Sequence, residues 1–236
     1  MKVVILAGGF GTRLAEETKV KPKPLVKIGN KPIIWHILKI YSFFGITKFI
    51  ICLGYKGYLI KKELNKLIKK ENWQVKYVNT GLKTMTGGRI RRVKKYIQND
   101  KNFCLSYGDG LSDVNIKKLI QFHKKNKKIG TLTAVKYKNP KGVLEINKNF
   151  KIKSIKEKPE EFINGGFFVL SNKVFKYLKN DQTIFEKDCL PKLTSSNQLL
   201  AFKHKGFWAC MDTIREKKEL NEIWNSKQKA WKVWNE

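Results

Sequence analysis

Acidic residues are scarce in this chain of 236 residues: 19 Asp and Glu stand against 50 Lys and Arg, which gives a formal net charge of +31. Such an excess attracts polyanions, including nucleic acids and anionic membrane surfaces. However, only five of the cations are arginines, and the lysines are spread along the chain rather than gathered in one stretch. We interpret the charge mainly as a solvated lysine-rich surface and keep a basic nucleic-acid-binding protein as an alternative.

Cysteines and long apolar runs are also few. The four cysteines form no CxxC pair and show no regular spacing, which argues against a zinc site or a disulfide framework. No apolar run approaches the length of a membrane span, and Met1-Lys2 leads directly into an apolar run rather than a signal peptide. We therefore expect a soluble cytoplasmic protein with one substantial core, because 42% of its residues are hydrophobic.

The first apolar run, residues 3–6, is followed at once by Gly8, Gly9 and Gly11. This pattern predicts a buried strand whose carboxyl end opens into a loop, at the edge where open α/β sheets bind ligands. Glycines allow φ > 0 and let several N–H groups approach one anion, and Arg13 adds a guanidinium group. The loop therefore predicts a polyphosphate site, with a plain βα turn as the alternative.

Two common glycine motifs do not fit this loop. A P-loop ends in Gly-Lys-Ser/Thr, whereas Gly11 is followed by Thr12-Arg13. A dinucleotide-binding fingerprint has a third glycine at the position where this chain has Leu14. A different mode of binding phosphate is therefore expected.

Apolar spacing predicts strands that alternate with helices over most of the chain. This order implies an α/β fold with a Rossmann-like, doubly wound, mixed but mostly parallel sheet. Trp224, Trp231 and Trp234 are interpreted as helix packing or a subunit contact. The predicted strands cover 3–6, 49–53, 74–78, 103–107, 131–135, 143–146, 152–155 and 199–202, and the predicted helices cover 32–44, 59–68, 90–97, 114–122, 173–178, 184–193 and a segment from 213.

The line from Leu6 to Leu14, together with Lys23, resembles the signature of sugar-phosphate nucleotidyltransferases. The later motifs are several, ordered and widely spaced, and they are most similar to those of glucose-1-phosphate cytidylyltransferases. These motifs are Val78-Asn79-Thr80-Gly81, Thr84-Met85-Thr86-Gly87-Gly88-Arg89, Tyr107-Gly108-Asp109-Gly110, Asn164-Gly165-Gly166-Phe167-Phe168, Gly206-Phe207-Trp208 and Met211-Asp212-Thr213.

The resemblance implies one domain, 1–236, with a nucleotide-binding half (1–129), a smaller acceptor-binding region (130–212) and C-terminal helices (213–236). It implies catalytic roles for Arg13, Lys23 and Lys158, and a Mg²⁺ ion held by Asp109 and Asp212. The implied nucleotide contacts are Leu6, Ala7, Gly8, Gly9, Gly11, Thr12, Arg13, Lys23, Thr80, Gly81, Gly87, Gly88 and Asp109. The implied acceptor contacts are Gly110, Glu157, Lys158, Asn164 and Gly166.

Several of these residues also have purely structural interpretations. A carboxylate flanked by glycines at a strand end, as at Asp109, suits Mg²⁺. Asp113, in contrast, is interpreted as the N-cap of the helix predicted over 114–122, and Asp212 is also placed to cap the helix that begins at Thr213. The resemblance implies that the loop over residues 80–89 lies against the base and ribose of the nucleotide, although it could be only a long connection. The Glu157-Lys158-Pro159 motif gains weight only from its position before Gly165-Gly166.

The implied reaction is Mg²⁺-dependent transfer of a cytidylyl group from CTP to glucose 1-phosphate, which releases pyrophosphate and supplies an activated sugar for surface polysaccharides. We expect a homo-oligomer without nucleic-acid or membrane partners. Two departures from relatives concern the acceptor: a short interval over 63–77, and 139–145 in place of an Arg-Phe-Gly-Ala run. Another phosphorylated acceptor, such as phosphoglutamine, and a catalytically inactive nucleotide sensor remain alternatives.

Overall fold

A seven-stranded sheet forms the centre of the computed structural model, which describes residues 1–138, 141–226 and 229–235 but not the side chains of Arg13, Ala15, Glu16 and Lys138. The strands are β1 (Val3–Leu6), β2 (Lys27–Ile28), β3 (Lys31–Pro32), β4 (Lys48–Leu53), β5 (Gln74–Asn79), β6 (Asn102–Tyr107), β7 (Gly110–Ser112), β8 (Gly130–Lys138), β9 (Val143–Ile146), β10 (Ile152–Lys156), β11 (Glu160–Ser171), β12 (Leu199–His204) and β13 (Trp208–Cys210). The α-helices are α1 (Ala15–Thr18), α2 (Ile33–Phe43), α3 (Gly57–Ile68), α4 (Thr86–Arg92), α5 (Lys94–Ile97), α6 (Ile116–Asn126), α7 (Leu190–Ser195) and α8 (Ile214–Asn225).

The order of strands in the central sheet is β12-β8-β11-β6-β1-β4-β5. Strand β1 pairs in parallel with β4 and β6, β4 pairs in parallel with β5, and β12 pairs in parallel with β8. Only β11 runs antiparallel to its neighbours, β6 and β8. The loops after β1, β4, β5 and β6 therefore meet at one edge of the sheet, as expected for parallel strands.

Apolar side chains pack on both faces of this sheet. Val3 and Ile5 of β1 point to one face, where they join helices α2, α3 and α6, whereas Val4 points to the other face, where Ile90 and Phe185 pack. A strand buried on both faces has a continuous apolar sequence, which explains the Val-Val-Ile-Leu run. The predicted doubly wound, mostly parallel sheet is confirmed.

Several elements differ from the prediction in extent or type, and one long strand was not predicted. Helix α6 begins at Ile116, and Asn115 caps it by accepting a hydrogen bond from the Lys118 N–H, so the prediction that Asp113 is the N-cap is wrong. The segment predicted as a helix over 184–193 begins as a π-helical turn, Phe185–Cys189, before α7, and the helix predicted over 173–178 is a 3₁₀ helix, Asn172–Tyr177. Strand β11, the longest in the sheet, was not predicted as a strand because glycines interrupt its sequence.

Strands β9 and β10 form a separate two-stranded hairpin. Its apolar side chains are exposed: Leu144, Ile146, Ile152 and Ile155 each leave about half or more of their surface in solvent, and Phe150 at the turn is 91% exposed. Residues 139 and 140, which belong to the predicted departure in the acceptor region, lie outside the described residues. These apolar side chains of the hairpin are therefore not buried against the body.

The C-terminal tryptophans surround one buried histidine. The His36 ring lies 4.6 Å from the Trp224 ring and 5.9 Å from the Trp231 ring, while Trp234 packs edge-on against Trp35 at 5.7 Å. The packing interpretation of these tryptophans is thus confirmed. Within the described ranges, no helix is long and apolar enough to cross a membrane.

Candidate active site

A cavity of about 740 Å³ opens at the carboxyl edge of the parallel strands. The glycine loop that follows β1 forms one wall, and the segment that follows β5 forms another. The remaining walls come from the end of β6, from the bulge within β11 and from the π-helical turn. Its lining comprises residues 6–12, Lys23, Pro24, residues 82–86, Arg89, Tyr107, Gly108, Asp109, Asn164, Glu186 and Asp212.

Two glycines of this loop are required for different reasons. Gly11 has φ of +67°, as predicted for a turn that favours glycine, and its carbonyl accepts hydrogen bonds from the Leu14 N–H and the Thr18 hydroxyl. Gly8 is required for close packing instead, because a Cβ there would lie 2.1 Å from a guanidinium nitrogen of Arg89. The side chain of Arg13, predicted to bind phosphate, lies outside the described part of the chain.

Lys23 lies between two carboxylates at the base of the cavity. Its Nζ donates to Asp109 at 2.6 Å and to Asp212 at 2.5 Å. Burial by itself would lower the pKa of Lys23, but the two carboxylates outweigh this effect and raise it. The side chain is therefore a cation held at a fixed position, although its residue is only 9% exposed.

Asp109 and Asp212 both contact the Lys23 ammonium group, and their arrangement fits a metal ion. Two carboxylates that meet at a single positive charge are a suitable donor set for Mg²⁺, which takes one or two protein carboxylates and completes its shell with water and phosphate oxygens. Among the described side chains, no group of three or more His, Cys, Asp or Glu could hold a metal ion. A metal ion here would be held by Asp109 and Asp212 and would complete its shell with water or substrate oxygens.

Arg89 is a buried arginine that belongs to one of the sequence motifs but had no predicted role. Its guanidinium group donates to the carbonyls of Gly8 (2.9 Å), Gly81 (2.9 Å) and Leu53 (3.2 Å) and to the Thr80 hydroxyl (2.7 Å). Burial lowers its pKa, but guanidinium groups stay charged in proteins. Arg89 thus joins the glycine loop to the end of β4 and to the loop after β5.

The other residues predicted to contact the nucleotide in the loop over 80–89 are in contact with other segments of the protein. Thr80 is fully buried, and its hydroxyl donates to the Leu53 carbonyl at 2.7 Å. A Cβ at Gly87 would lie 2.8 Å from Thr183, and a Cβ at Gly88 would lie 2.4 Å from the backbone of Asp181. These glycines lie in α4, where they let the segment 181–186 pack closely, and they do not line the cavity.

The predicted acceptor residues are divided between two places. Asn164 lines the cavity, and Gly166, which has φ of +79°, lies in the adjacent bulge, where its N–H donates to Asn164. Gly110 begins β7 and is buried beside the cavity. Glu157 and Lys158 are exposed at the end of the β9–β10 hairpin and do not line the cavity.

Tyr107 and Glu186 form a hydrogen-bonded pair that lines the cavity. The Tyr107 hydroxyl donates to Glu186 at 2.6 Å and accepts from Asn164 at 3.2 Å. Burial, together with the neighbouring Glu186 carboxylate, raises the pKa of Tyr107, so the phenol stays protonated. The cavity therefore has a cationic region at Lys23 and an acceptor-rich region at Glu186.

Comparison with known proteins identifies the family. The model of the nucleotidyl transferase family matches residues 2–225, which is nearly the whole chain. The chain belongs to this nucleotidyl transferase family. It is therefore an enzyme of the nucleotidyl transfer type, and enzymes of this family generally use a divalent metal ion.

Individual relatives agree with this membership. A glucose-1-phosphate cytidylyltransferase from Salmonella typhimurium is 45% identical to this nucleotidyl transferase over 257 aligned positions, which cover 99% of this chain and 100% of the relative. The protein of the same name from Salmonella typhi matches equally well. Because the alignment exceeds the 236 residues of this chain, these relatives contain segments that it lacks.

A solved structure supports the fold. HddC from Yersinia pseudotuberculosis, complexed with GMP-PN, matches this nucleotidyl transferase with a TM-score of 0.76 and 29% identity. The match covers 95% of this chain and 99% of that chain. That protein thus shares the fold of this chain.

Three residues that line the cavity had no predicted role: Arg89, Tyr107 and Glu186. A signal existed for Arg89, because it is one of only five arginines in a chain dominated by lysine and it lies directly after two glycines. Tyr107 lies directly before the Gly108-Asp109 motif and therefore at the ligand edge. Glu186 gave no signal, because its place in the cavity depends on packing between segments about 80 to 100 residues apart.

Proposed function

We propose that this enzyme transfers a cytidylyl group from CTP to glucose 1-phosphate, with Mg²⁺ as the metal ion. The observation that carries the proposal is the pair of carboxylates held on Lys23 beneath the glycine loop, in a cavity of about 740 Å³. The relatives that carry the name glucose-1-phosphate cytidylyltransferase match the chain over its full length, which supports this choice of nucleotide and acceptor.

In this proposal, an oxygen of the sugar phosphate attacks the α-phosphorus of CTP, the bond to the β-phosphate breaks, and pyrophosphate leaves. A phosphate monoester is already a competent nucleophile, so catalysis consists mainly of positioning and charge neutralisation. The N–H groups of the glycine loop and Arg13 bind the triphosphate, and Lys23 neutralises charge on the α-phosphate. Mg²⁺, held by Asp109 and Asp212, supplies charge neutralisation between the two anionic substrates when bound.

The two halves of the chain contribute different contacts. The loops of residues 1–129 hold the nucleotide, and residues 130–212 contribute acceptor contacts at Asn164 and Gly166, as well as Asp212. Lys158 holds the acceptor phosphate when the β9–β10 hairpin lies over the cavity. The enzyme works in the cytoplasm, where CTP is available, and its product is an activated sugar for surface polysaccharides.

A substrate matrix tests the proposal. Pyrophosphate release is measured with Mg²⁺ for CTP, dTTP, UTP, ATP and GTP against a panel of sugar 1-phosphates and phosphoglutamine. We expect turnover with CTP and glucose 1-phosphate. Turnover with CTP and a different acceptor would contradict the acceptor assignment, and absence of turnover throughout, combined with salt-sensitive nucleic-acid binding, would contradict the enzymatic role.

A further inference from the structure

Glu186 presents a carboxylate to the cavity from an unusual local backbone. It lies in the π-helical turn Phe185–Cys189, a conformation that is rare and frequently occurs at functional sites. The residue is half-buried and lines the same cavity as the glycine loop and Lys23. The nucleotidyl transfer described above gives this carboxylate no role.

Two hydroxyl groups fix the position of the Glu186 carboxylate. One oxygen accepts from Tyr107 at 2.6 Å and the other accepts from Thr86 at 2.7 Å. Both donors are themselves oriented, because Thr86 accepts from the Phe185 N–H at 2.9 Å and Tyr107 accepts from Asn164 at 3.2 Å. The carboxylate is therefore held by side chains from two other segments of the chain, and Asn164 from a third segment orients one of them.

The glycines of α4 bring this segment close. The Met85 N–H donates to the Asp181 carbonyl at 2.9 Å, and the Gly88 N–H donates to the Thr183 carbonyl at 3.1 Å. Any side chain at Gly87 or Gly88 would collide with the backbone of 181–183. The Gly87-Gly88 pair thus determines how closely Glu186 approaches the cavity.

The chemistry of this carboxylate selects for hydroxyl groups. A carboxylate offers about four lone-pair positions, and Tyr107 and Thr86 use two of them, so two remain for donors in the cavity. In the described part of the chain, no salt bridge to Glu186 is formed that would neutralise it. The group therefore repels phosphate and favours a neutral ligand rich in hydroxyls.

The residues around Glu186 come from both sides of β1 in the strand order. Tyr107 ends β6 and Asn164 lies on β11, and both strands lie on one side of β1. The loop after β5, where the base is expected, lies on the other side of β1. Thr86, the second donor to Glu186, belongs to the segment after β5, so the Glu186 carboxylate reaches both sides of the cavity and is connected to the predicted acceptor residue Asn164 through Tyr107.

We infer that Glu186 is a specificity-determining residue that accepts hydrogen bonds from ring hydroxyls of the sugar acceptor, with Tyr107 and Thr86 as its positioning residues. The inference rests on the proposed function, because it concerns the acceptor of that reaction. The ribose of the nucleotide is the other source of hydroxyls, and the experiment below distinguishes the two.

The test uses Glu186→Gln, which keeps the shape of the side chain and removes the charge. We expect the KM for glucose 1-phosphate to rise about tenfold or more, because hydrogen bonds to charged groups are the strong ones, while the KM for CTP stays within about twofold. Discrimination between glucose 1-phosphate and its 2-, 3-, 4- and 6-deoxy analogues should also fall for at least one analogue. Asp188→Asn is the matched control, since Asp188 lies in the same turn but accepts from the Ile184 N–H and does not line the cavity.

Three outcomes would overturn the inference: a rise in the KM for CTP instead, which indicates ribose contact; a change in kcat alone; or an equal effect of Asp188→Asn, which indicates loss of local structure. If Glu186→Gln does not fold, Thr86→Val decides the matter, because it removes a hydroxyl that orients the carboxylate without touching Asn164, and it should raise the acceptor KM by a smaller factor. Failure of the proposed function is distinguishable, because the wild-type enzyme would then not turn over CTP and glucose 1-phosphate.

Discussion

The floor of the cavity and the β9–β10 hairpin carry predicted site residues in contrasting surroundings. At the floor, Lys23, Asp109 and Asp212 come from distant parts of the chain and hold one another at 2.5–2.6 Å. On the hairpin, Lys158 is exposed, and the neighbouring Ile155 is 67% exposed. The contrast teaches that motif residues held between elements have a defined geometry, whereas those at the end of the hairpin are exposed and have no such contacts with the cavity.

The largest expected effect is at the floor. Lys23→Met removes the cation that neutralises the α-phosphate, so we expect kcat to fall by about 10²–10³-fold in a folded protein. Lys21→Met is the matched control, because Lys21 pairs with Glu17 at 3.0 Å and does not line the cavity. Steady-state pyrophosphate release measures the effect, and a Lys23→Met enzyme with wild-type turnover would remove the contrast between floor and hairpin.

The second largest expected effect is a loss of stability on substitution of Arg89, which joins segments of the packed body. Arg89→Lys leaves several buried carbonyls without donors, and we expect a loss of roughly 2–4 kcal/mol in the free energy of unfolding. Urea denaturation measures this loss. Steady-state kinetics measure the KM for CTP, which should rise because the glycine loop is no longer joined to the loop after β5. Arg92→Lys serves as the control because Arg92 is exposed on Asp181, and equal destabilisation by both variants would argue against the role of Arg89.

Lys158 tests the hairpin itself. If the hairpin lies over the bound acceptor, Lys158→Ala should raise the KM for glucose 1-phosphate by about tenfold and leave the stability unchanged, since this side chain is exposed in the structure. Lys156→Ala, on the same hairpin, should have little effect. Unchanged kinetics in Lys158→Ala would show that the hairpin takes no part in acceptor binding.

The smallest expected effect is the pH dependence of stability. It should come from histidines of the packed body, because residues 143–156 of the hairpin contain no histidine. Burial lowers the pKa of His36 and of His123 to about 4. Unfolded histidine titrates near pH 6.5, so between these values the unfolded state binds more protons than the native state. Stability should therefore decrease as pH falls from about 6.5 towards 4, and His36→Gln should reduce this dependence in urea titrations at several pH values. An unchanged pH dependence in that variant would contradict the assignment.

The regular part of the fold was predictable from sequence because strands β1, β4 and β6 are apolar on both faces and helices separate them. Strand β11 was not predictable in the same way, since Gly165 and Gly166 conceal its period and its pairing with β6 and β8 comes from distant segments. The π-helical turn at 185–189 has helical apolar spacing, so its different hydrogen bonding gave no separate signal.

The candidate site divides along the same line. Lys23, Asp109 and Asp212 belong to recognisable motifs, and the structure brings all three together. The motif glycines Gly87 and Gly88 were expected to contact a base, yet their lack of a side chain is required by close packing against 181–183. A sequence shows that a position needs glycine, but whether a ligand or another segment occupies the space depends on tertiary structure.

The most direct test of the account is identification of the product formed from CTP and glucose 1-phosphate. After incubation with Mg²⁺, ³¹P NMR and mass spectrometry of the mixture should show CDP-glucose and pyrophosphate in equal amounts. Recovery of both substrates unchanged by an enzyme whose folding is verified by circular dichroism, or release of phosphate without a cytidylylated sugar, would contradict the account.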